Sequence, residues 1–162
     1  MQNEKYPMTA AIRQLQGLKI NFEPYEYNYE EKGGTRQTAL ELNIDEHSVV
    51  KTLIFEDESG KAMIVLMHGD CEVSTKELAR TVGVKTIAPC SADKANKLTG
   101  YQFGGTSPFG TRSSLPVYCE SSISDLNRIY INGGKRGFII SITPESLFEV
   151  FDLELVKVAI KK

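Results

Sequence analysis

Two apolar runs separated by five turn-forming residues constrain the fold of this chain most. The runs are VVKTLIF at 49–55 and KAMIVLM at 61–67, both rich in β-branched and aliphatic side chains. The link between them, EDESG at 56–60, is short and ends in glycine. Two strand-type runs joined by such a link pair as an antiparallel hairpin. The sequence therefore predicts a hairpin as the centre of a sheet.

The remaining segments alternate irregularly between helix and strand patterns. Strands are predicted at 20–29, 115–119, 129–131, 138–142 and 152–160, with a glycine-rich turn at 132–137. Helices are predicted at 8–18, 35–44, 74–83 and 91–98, and from Thr143 onward. With 162 residues, 41% of them hydrophobic, the chain is long enough for one core. The pattern predicts a single α+β domain over 1–162, with a mixed sheet.

Charge, cysteine and histidine content restrict the classes of function. Lys and Arg number 19 and Asp and Glu 21, a net charge of −2, so nucleic acid would have to be contacted locally. No apolar run reaches the ~20 residues of a membrane span, and the N-terminal residues lack the apolar segment of a signal peptide. We therefore expect a cytoplasmic protein without a membrane partner. Three dispersed cysteines and two histidines outside ligand-type spacing predict no disulfide framework, metal or cofactor.

Lys51 is an unusual residue for a strand this apolar. Because side chains alternate along a strand, Lys51 shares a face with Val49, Leu53 and Phe55. One interpretation is a strand end, where the ammonium reaches water past its own methylenes. The other is a pocket wall, where a low dielectric strengthens the charge and a carbonyl oxygen could be stabilised as it becomes negative. The strand pattern alone leaves both open.

Two glycine-rich loops, 104–110 and 133–137, form the second unusual feature. Glycines permit positive φ angles and close backbone approach, so successive N–H groups can point at one ligand oxygen. Neither loop has the pattern of a phosphate-binding loop, and both could be simple tight turns. Ser107 is a weak candidate nucleophile, since its surroundings are not G-x-S-x-G and only His47 and His68 could serve as a base.

Taken together, three ordered motifs resemble the YbaK family of aminoacyl-tRNA deacylases, relatives of the editing domain of prolyl-tRNA synthetases. The motifs are VVKTL at 49–53, GYQFGGTSPFG at 100–110 and IYINGGKRG at 129–137. The resemblance extends from the first helix to the last strand. It implies a mixed, mostly antiparallel, barrel-like sheet flanked by helices. It also implies an enzyme that removes a wrong amino acid from tRNA, typically cysteine and in some branches alanine from tRNA(Pro).

The resemblance also implies the site and its partners. Lys51 falls on the essential lysine of the family, Gly104 on a glycine whose backbone lines the pocket, and Tyr27 on a pocket tyrosine. The predicted substrate-binding set is Tyr27, Gly104, Gly105, Thr106, Ser107, Pro108, Phe109, Gly110, Asn132, Gly133 and Gly134. The expected partners are the 3′ acceptor end of aminoacyl-tRNA and a synthetase that delivers it. In cysteine-clearing members the thiol of the substrate attacks its own ester and releases a thiolactone, which makes the enzyme a lyase rather than a hydrolase.

Two differences from the pattern of the family leave open which amino acid is removed from the tRNA. We expect cysteine-specific relatives to have an aromatic residue where this chain has Gly33-Gly34, and a serine in place of Asn132. Cys-tRNA(Pro), with Cys-tRNA(Cys) as a further substrate, and Ala-tRNA(Pro) therefore both remain candidates. Two alternatives are not enzymes. One is a nucleic-acid-binding transcriptional regulator, with Arg112, Lys135 and Arg136 as local phosphate contacts, and the other is a small-nucleotide binder.

Overall fold

Five α-helices and ten β-strands form the part of the chain that this computed structural model describes, residues 6–162. The helices are α1 (Ala10–Gly17), α2 (Gly34–Leu42), α3 (Thr75–Val82), α4 (Ala92–Thr99) and α5 (Pro144–Val150). The strands are β1 (Glu23–Glu26), β2 (Val49–Asp57), β3 (Ala62–His68), β4 (Cys71–Val73), β5 (Ile87–Pro89), β6 (Val117–Glu120), β7 (Ile129–Lys135), β8 (Phe138–Ile142), β9 (Glu154–Val156) and β10 (Ala159–Lys161). Residues 1–5, part of the predicted domain and of the segment used to exclude a signal peptide, lie outside the described residues.

The predicted hairpin is confirmed and consists of β2 and β3. The two strands pair antiparallel from Val50 opposite His68 to Glu56 opposite Ala62. Asp57 holds the turn, because its Oδ1 accepts hydrogen bonds from the amides of Ser59 at 2.9 Å and Lys61 at 3.0 Å. A carboxylate that bonds to the backbone a few residues on is a common turn device.

The hairpin lies inside one mixed sheet. Its strand order is β1-β8-β7-β2-β3-β6-β9, with β5 also paired to β2. Antiparallel pairs join β1 to β8, β8 to β7, β2 to β3 and β2 to β5. Parallel pairs join β7 to β2, β3 to β6 and β6 to β9. The predicted single-domain α+β class with a mixed, mostly antiparallel sheet flanked by helices is confirmed.

Both faces of the hairpin are buried, which explains why its runs are almost wholly apolar. Val50, Ile54, Ile64 and Leu66 belong to the larger hydrophobic cluster. The alternate residues of the hairpin, which include Phe55, Met63, Val65 and Met67, belong to a second cluster around α3. By alternation Lys51 lies on the second face, opposite Met67 in the pairing, where an apolar residue would be expected.

The predicted ends of α3 and α4 are confirmed. Ser74 and Ser91 cap the two helices by accepting hydrogen bonds from the amides of Glu77 and Lys94, each at 3.2 Å. Gly83 and Gly100 end them in the left-handed conformation, with φ of +88° and +82°. Because Gly100 ends α4, the chain passes directly from that helix into the glycine-rich loop. No helix among residues 6–162 has the length and apolarity needed to cross a membrane.

Two sequence-based expectations about local structure were wrong. The turn predicted at 132–137 is largely strand, since β7 continues to Lys135 through an irregularity in its pairing with β8. The last strand predicted at 152–160 is split into β9 and β10. The reason is Glu120, whose Oε1 accepts hydrogen bonds from the amides of Val158 and Ala159 at 2.7 and 2.9 Å and so takes them away from the main sheet. β10 then pairs with β4.

Candidate active site

A cavity of about 290 Å³ opens where β2, α2 and the glycine-rich loop meet. Its wall includes five of the residues singled out from sequence, namely Tyr27, Lys51, Gly104, Thr106 and Asn132. Lys51 and Gly104 are 53 positions apart in the chain (104 − 51), yet they line the same cavity. The fold thus brings the loop and the lysine, which are distant in the chain, to one cavity.

Lys51 is half-buried in this wall. Burial lowers the pKa of Lys51 from its ordinary value, and the positive charge of Lys162 lowers it further. Among residues 6–162 no carboxylate lies within salt-bridge distance of its ammonium. A cation that is partly desolvated and has no partner charge is suited to stabilise an anionic oxygen of a bound ligand.

Tyr27 and Thr38 form a fixed polar pair in the same cavity. The Tyr27 hydroxyl and Thr38 Oγ1 are 2.9 Å apart, and the amide of Tyr27 donates to the carbonyl of Gly137 at 2.9 Å. Burial raises the pKa of the Tyr27 phenol, so it stays protonated at neutral pH. Tyr27 can therefore act as a neutral hydrogen-bonding group toward a ligand.

Gly104 occupies a position that only glycine fills without strain. Its φ is +86°, and a Cβ atom there would overlap the hydroxyl of Tyr29. The absence of a side chain thus lets the backbone of the loop approach Tyr29 and the cavity directly.

Asn132 joins the loop to strand β7. Its Oδ1 accepts hydrogen bonds from the amides of Gly134 at 2.6 Å and Lys135 at 3.1 Å. Its Nδ2 donates to the carbonyl of Gly104 at 3.3 Å. One amide group therefore holds the irregular part of β7 and the loop that faces it.

Other predicted residues of the first loop lie away from the main cavity. Ser107 and Phe109 are fully buried, and the Ser107 hydroxyl accepts a hydrogen bond from the amide of Phe109 at 3.2 Å. Pro108 and Gly110 line a separate cavity of about 630 Å³ on the other side of the loop. Gly110 also packs against the backbone of α1 at Ala10. These residues support the loop by their packing and do not line the main cavity.

The glycines that pack the two loops together form a third group. A Cβ atom at Gly105 would lie 2.7 Å from the amide nitrogen of Arg136, and one at Gly133 would lie 2.6 Å from the ring of Phe138. Gly134 has a φ of +102°, and a Cβ atom there would lie 2.8 Å from the ring of Tyr101. Gly105 and Gly134 also line a small depression on the far side of the loop.

Several residues that were not predicted for the site also line the cavity. They include Tyr29, Lys32, Thr38, Thr52 and Phe103. Thr52 Oγ1 is buried and has no hydrogen-bond partner within residues 6–162. Thr52 follows Lys51 in the same motif and Tyr29 continues the aromatic alternation of 25–29, so both carried a signal. Phe103 lies in the motif at 100–110, but nothing in the sequence distinguishes it from Phe109.

Both imidazoles of the chain lie outside the cavity wall. The rings of His47 and His68 are stacked with centroids 3.7 Å apart, and His68 Nε2 lies 2.7 Å from the hydroxyl of Ser122. Burial lowers the pKa of His68. Since both rings are engaged elsewhere, neither is placed as a base for a nucleophile in the cavity.

One group of side chains has the composition of a metal site. The potential ligand atoms of His47, Asp70 and Cys71 lie within 4.8 Å of one another. They already bond to each other, with His47 Nδ1 2.8 Å and Cys71 Sγ 3.5 Å from Asp70 Oδ1. The pairing with His47 and Cys71 holds the pKa of the Asp70 carboxyl below its ordinary value. The group is satisfied without a cation, and the absence of a metal from the mechanism stays a prediction.

Replacement of Asn132 by Ala is expected to destabilise the loops around the cavity. The change leaves the amides of Gly134 and Lys135 without their acceptor, and the net loss for such partly exposed hydrogen bonds is about 0.5–1.5 kcal/mol of unfolding free energy each. Urea denaturation of both proteins measures this difference. Asn127→Ala, at an exposed asparagine, is the control and should differ little from the original protein. Equal losses in the two variants would show that Asn132 does not hold the loops.

Comparison with known families gives a match over most of this structure. A family model described as "aminoacyl-tRNA editing domain" matches residues 30–150. This range contains every predicted site residue except Tyr27.

Similar proteins and structures agree with that match. A protein of Enterococcus faecalis named "Putative Cys-tRNA(Pro)/Cys-tRNA(Cys) deacylase EbsC" is 25% identical over 95% of this chain and 94% of the relative. A proline–tRNA ligase of Streptococcus equi subsp. zooepidemicus is 26% identical over 75% of this chain, which corresponds to 20% of the ligase. A crystal structure described as "a putative trans-editing enzyme for prolyl tRNA synthetase" superimposes with a TM-score of 0.81 at 20% identity, covering 94% of this chain and 95% of the other. This last likeness shows a shared fold.

Proposed function

Because the chain belongs to the family of aminoacyl-tRNA editing domains, we propose that it is a trans-editing deacylase, which cleaves the ester between tRNA and a wrongly attached small amino acid. The proposed editing unit is the whole of residues 1–162. The observation that carries the proposal is the placement of a half-buried Lys51, without a salt-bridge partner in residues 6–162, in one cavity with the glycine-rich loop at Gly104. Those two elements are what ester cleavage requires, namely a positive charge for the developing oxyanion and a backbone that orients the ester.

Lys51 is the proposed catalytic residue. Its ammonium would bind the carbonyl oxygen of the aminoacyl ester, which gains negative charge as the tetrahedral intermediate forms. The same desolvation that lowers the pKa of Lys51 strengthens this interaction, because water screens it less. We propose that Gly104, Thr106, Tyr27 and Asn132 bind the substrate from the walls of the cavity.

The remaining predicted residues have an indirect part in this proposal. These residues would set the path of the two loops rather than touch the amino acid. They are Gly105, Ser107, Pro108, Phe109, Gly110, Gly133 and Gly134. The support is their packing against α1, Phe138 and the backbone of β7.

The proposed substrate is Cys-tRNA(Pro), with Cys-tRNA(Cys) as a second substrate and Ala-tRNA(Pro) as the alternative. Among the described residues the cavity wall has threonine hydroxyls and Lys51 but no Cys, His or Ser side chain, and the proposal assigns Lys51 to the oxyanion, so it takes no nucleophile from the protein. Cysteine supplies its own, since its thiol sulfur can attack the ester carbonyl. The C–S bond then forms as the C–O bond to the ribose breaks, the thiol proton passes to the departing hydroxyl, and a thiolactone is released. Alanine would instead need water or the 2′-hydroxyl of the tRNA.

The test is the loss of amino acid from Cys-tRNA(Pro), Ala-tRNA(Pro) and Pro-tRNA(Pro) with enzyme in excess. We expect one of the first two to be cleaved at least 10 times faster than in buffer, and Pro-tRNA(Pro) to be spared, because an editing site is useful only if it rejects the correct amino acid. Rapid cleavage of Cys-tRNA(Pro) that disappears when the thiol is methylated would support the thiolactone route. Stability of both misacylated esters would refute the proposal.

The low net charge bears on how tRNA is held. At −2 overall, the protein should bind free tRNA weakly and with strong salt dependence, so we propose that prolyl-tRNA synthetase assists delivery. This substrate also leads us to expect a cytoplasmic location.

A further inference from the structure

The tip of the glycine-rich loop separates two depressions. Phe103 and Gly104 line the main cavity. Gln102, Gly105, Lys135 and Arg136 line a second depression of about 240 Å³ on the other side. Neighbouring residues of one loop therefore line both depressions.

Phe103 presents an aromatic surface at this boundary. Its side chain is 71% exposed, and among the large apolar residues of the described part of the chain only Leu40 is more exposed. The segment beneath it is fixed, because Arg136 Nε donates to the carbonyl of Phe103 at 2.8 Å. An exposed aromatic ring on a fixed backbone is a stacking platform for an unpaired nucleic-acid base.

The second depression carries positive charge without local neutralisation. Lys135 and Arg136 are exposed, and within residues 6–162 neither lies within salt-bridge distance of a carboxylate. The Arg136 guanidinium lies over the Tyr29 ring, 5.2 Å from its centroid, so its charge is held beside the loop. In a chain of net charge −2, this arrangement provides the local contact for phosphate that the overall composition does not.

We propose that Phe103 and the second depression bind the unpaired nucleotides at the 3′ end of the substrate tRNA. The terminal base stacks on Phe103, and the phosphates of the preceding nucleotides contact Lys135 and Arg136. This inference rests on the proposed function in one respect, which is that the ester occupies the main cavity. The nucleotide site itself can be tested without catalysis.

The probe is an RNA minihelix that ends in single-stranded ACCA, with the fluorescent base 2-aminopurine in place of the terminal adenine. Stacking quenches its fluorescence, so a titration at low salt reports both binding and base contact. Phe103→Ala should weaken binding about 10-fold or more and abolish the quenching, whereas Phe103→Trp should retain both. Phe148→Ala is the matched control, since Phe148 is 48% exposed but lies on α5 and not in the cavity wall.

The phosphate contact has its own readout. Each phosphate bound by a single strand contributes about 0.7 to the slope of log affinity against log salt concentration. Lys135→Gln should reduce that slope by about this amount. Lys97→Gln, which removes an exposed lysine from α4, should leave it unchanged.

The outcomes separate this inference from the proposed function. Loss of binding in Phe103→Ala, with Phe148→Ala normal, supports the nucleotide site even if no aminoacyl ester is ever cleaved. Equal affinity and quenching for Phe103→Ala and the original protein would overturn the site, even if Cys-tRNA(Pro) is cleaved rapidly. Failure of the original protein to bind the minihelix at low salt would overturn it as well.

Discussion

Lys51→Ala is expected to reduce the single-turnover rate of ester cleavage at least 100-fold. The substitution removes the cation that we propose binds the oxyanion, and loss of one such group commonly costs 10²–10³-fold in rate. Lys32 also lines the cavity, but it is exposed to solvent, so its charge is screened more than that of the half-buried Lys51 and should not replace it. The measurement is the first-order loss of labelled amino acid from Cys-tRNA(Pro) or Ala-tRNA(Pro) with enzyme in excess.

The control for this variant is Lys61→Ala, which removes an exposed lysine from the turn of the same hairpin. Its rate should stay within about 2-fold of the original, since Lys61 lies outside the cavity wall.

The pH dependence of the cleavage rate gives a second check. If the protonated ammonium is the active form, the rate should fall as the pH rises through the pKa of Lys51, which burial places below that of a free lysine. A Lys51→Ala enzyme that keeps more than a tenth of the activity would remove Lys51 from the mechanism.

Gly104→Ala is expected to reduce deacylation about 100-fold while the protein remains folded. A Cβ atom at this position overlaps the Tyr29 hydroxyl, so the loop or Tyr29 must move away from the cavity. Displacement of a positioning group by about 1 Å can cost about 10²-fold in rate. Because alanine is strained at this positive φ, the substitution should also lower the unfolding free energy by about 1–2 kcal/mol. Single-turnover assays and urea denaturation measure the two effects separately.

Gly83→Ala is the matched control for Gly104→Ala. Gly83 has nearly the same φ, +88° against +86°, but a Cβ atom there meets nothing within 4 Å. It should therefore lose a similar amount of stability and no activity. If both variants lose activity to the same degree, backbone strain explains the effect and the close approach of Gly104 to Tyr29 is not important for catalysis.

Much of the fold could be predicted because its signals are local. The β2–β3 hairpin follows from two apolar runs and a short link, and the ends of α3 and α4 follow from Ser74, Gly83, Ser91 and Gly100. Lys51 was identified for a similar reason, since a lysine among valine, leucine and isoleucine conflicts with its surroundings. Such a conflict is visible without any knowledge of tertiary contacts.

The parts that could not be predicted depend on contacts between distant segments. The path of β7 through Gly133 and Gly134 is held by Asn132 and by β8, whereas two adjacent glycines alone indicate a turn. The split of the last strand depends on Glu120, 38 residues before Val158. Phe109 was predicted to bind substrate and Phe103 was not, because the sequence does not show that Phe103 is exposed and Phe109 fully buried.

The most direct test of the account is the structure of the protein bound to 3′-alanylamido-3′-deoxyadenosine, in which an amide replaces the cleavable ester. The account predicts that the carbonyl oxygen of this analogue lies within hydrogen-bond distance of Lys51 Nζ, beside the backbone of Gly104, with the adenine on Phe103. An analogue bound elsewhere, or bound in the cavity with its carbonyl directed away from Lys51, would contradict the assignment of this cavity as the site of ester cleavage.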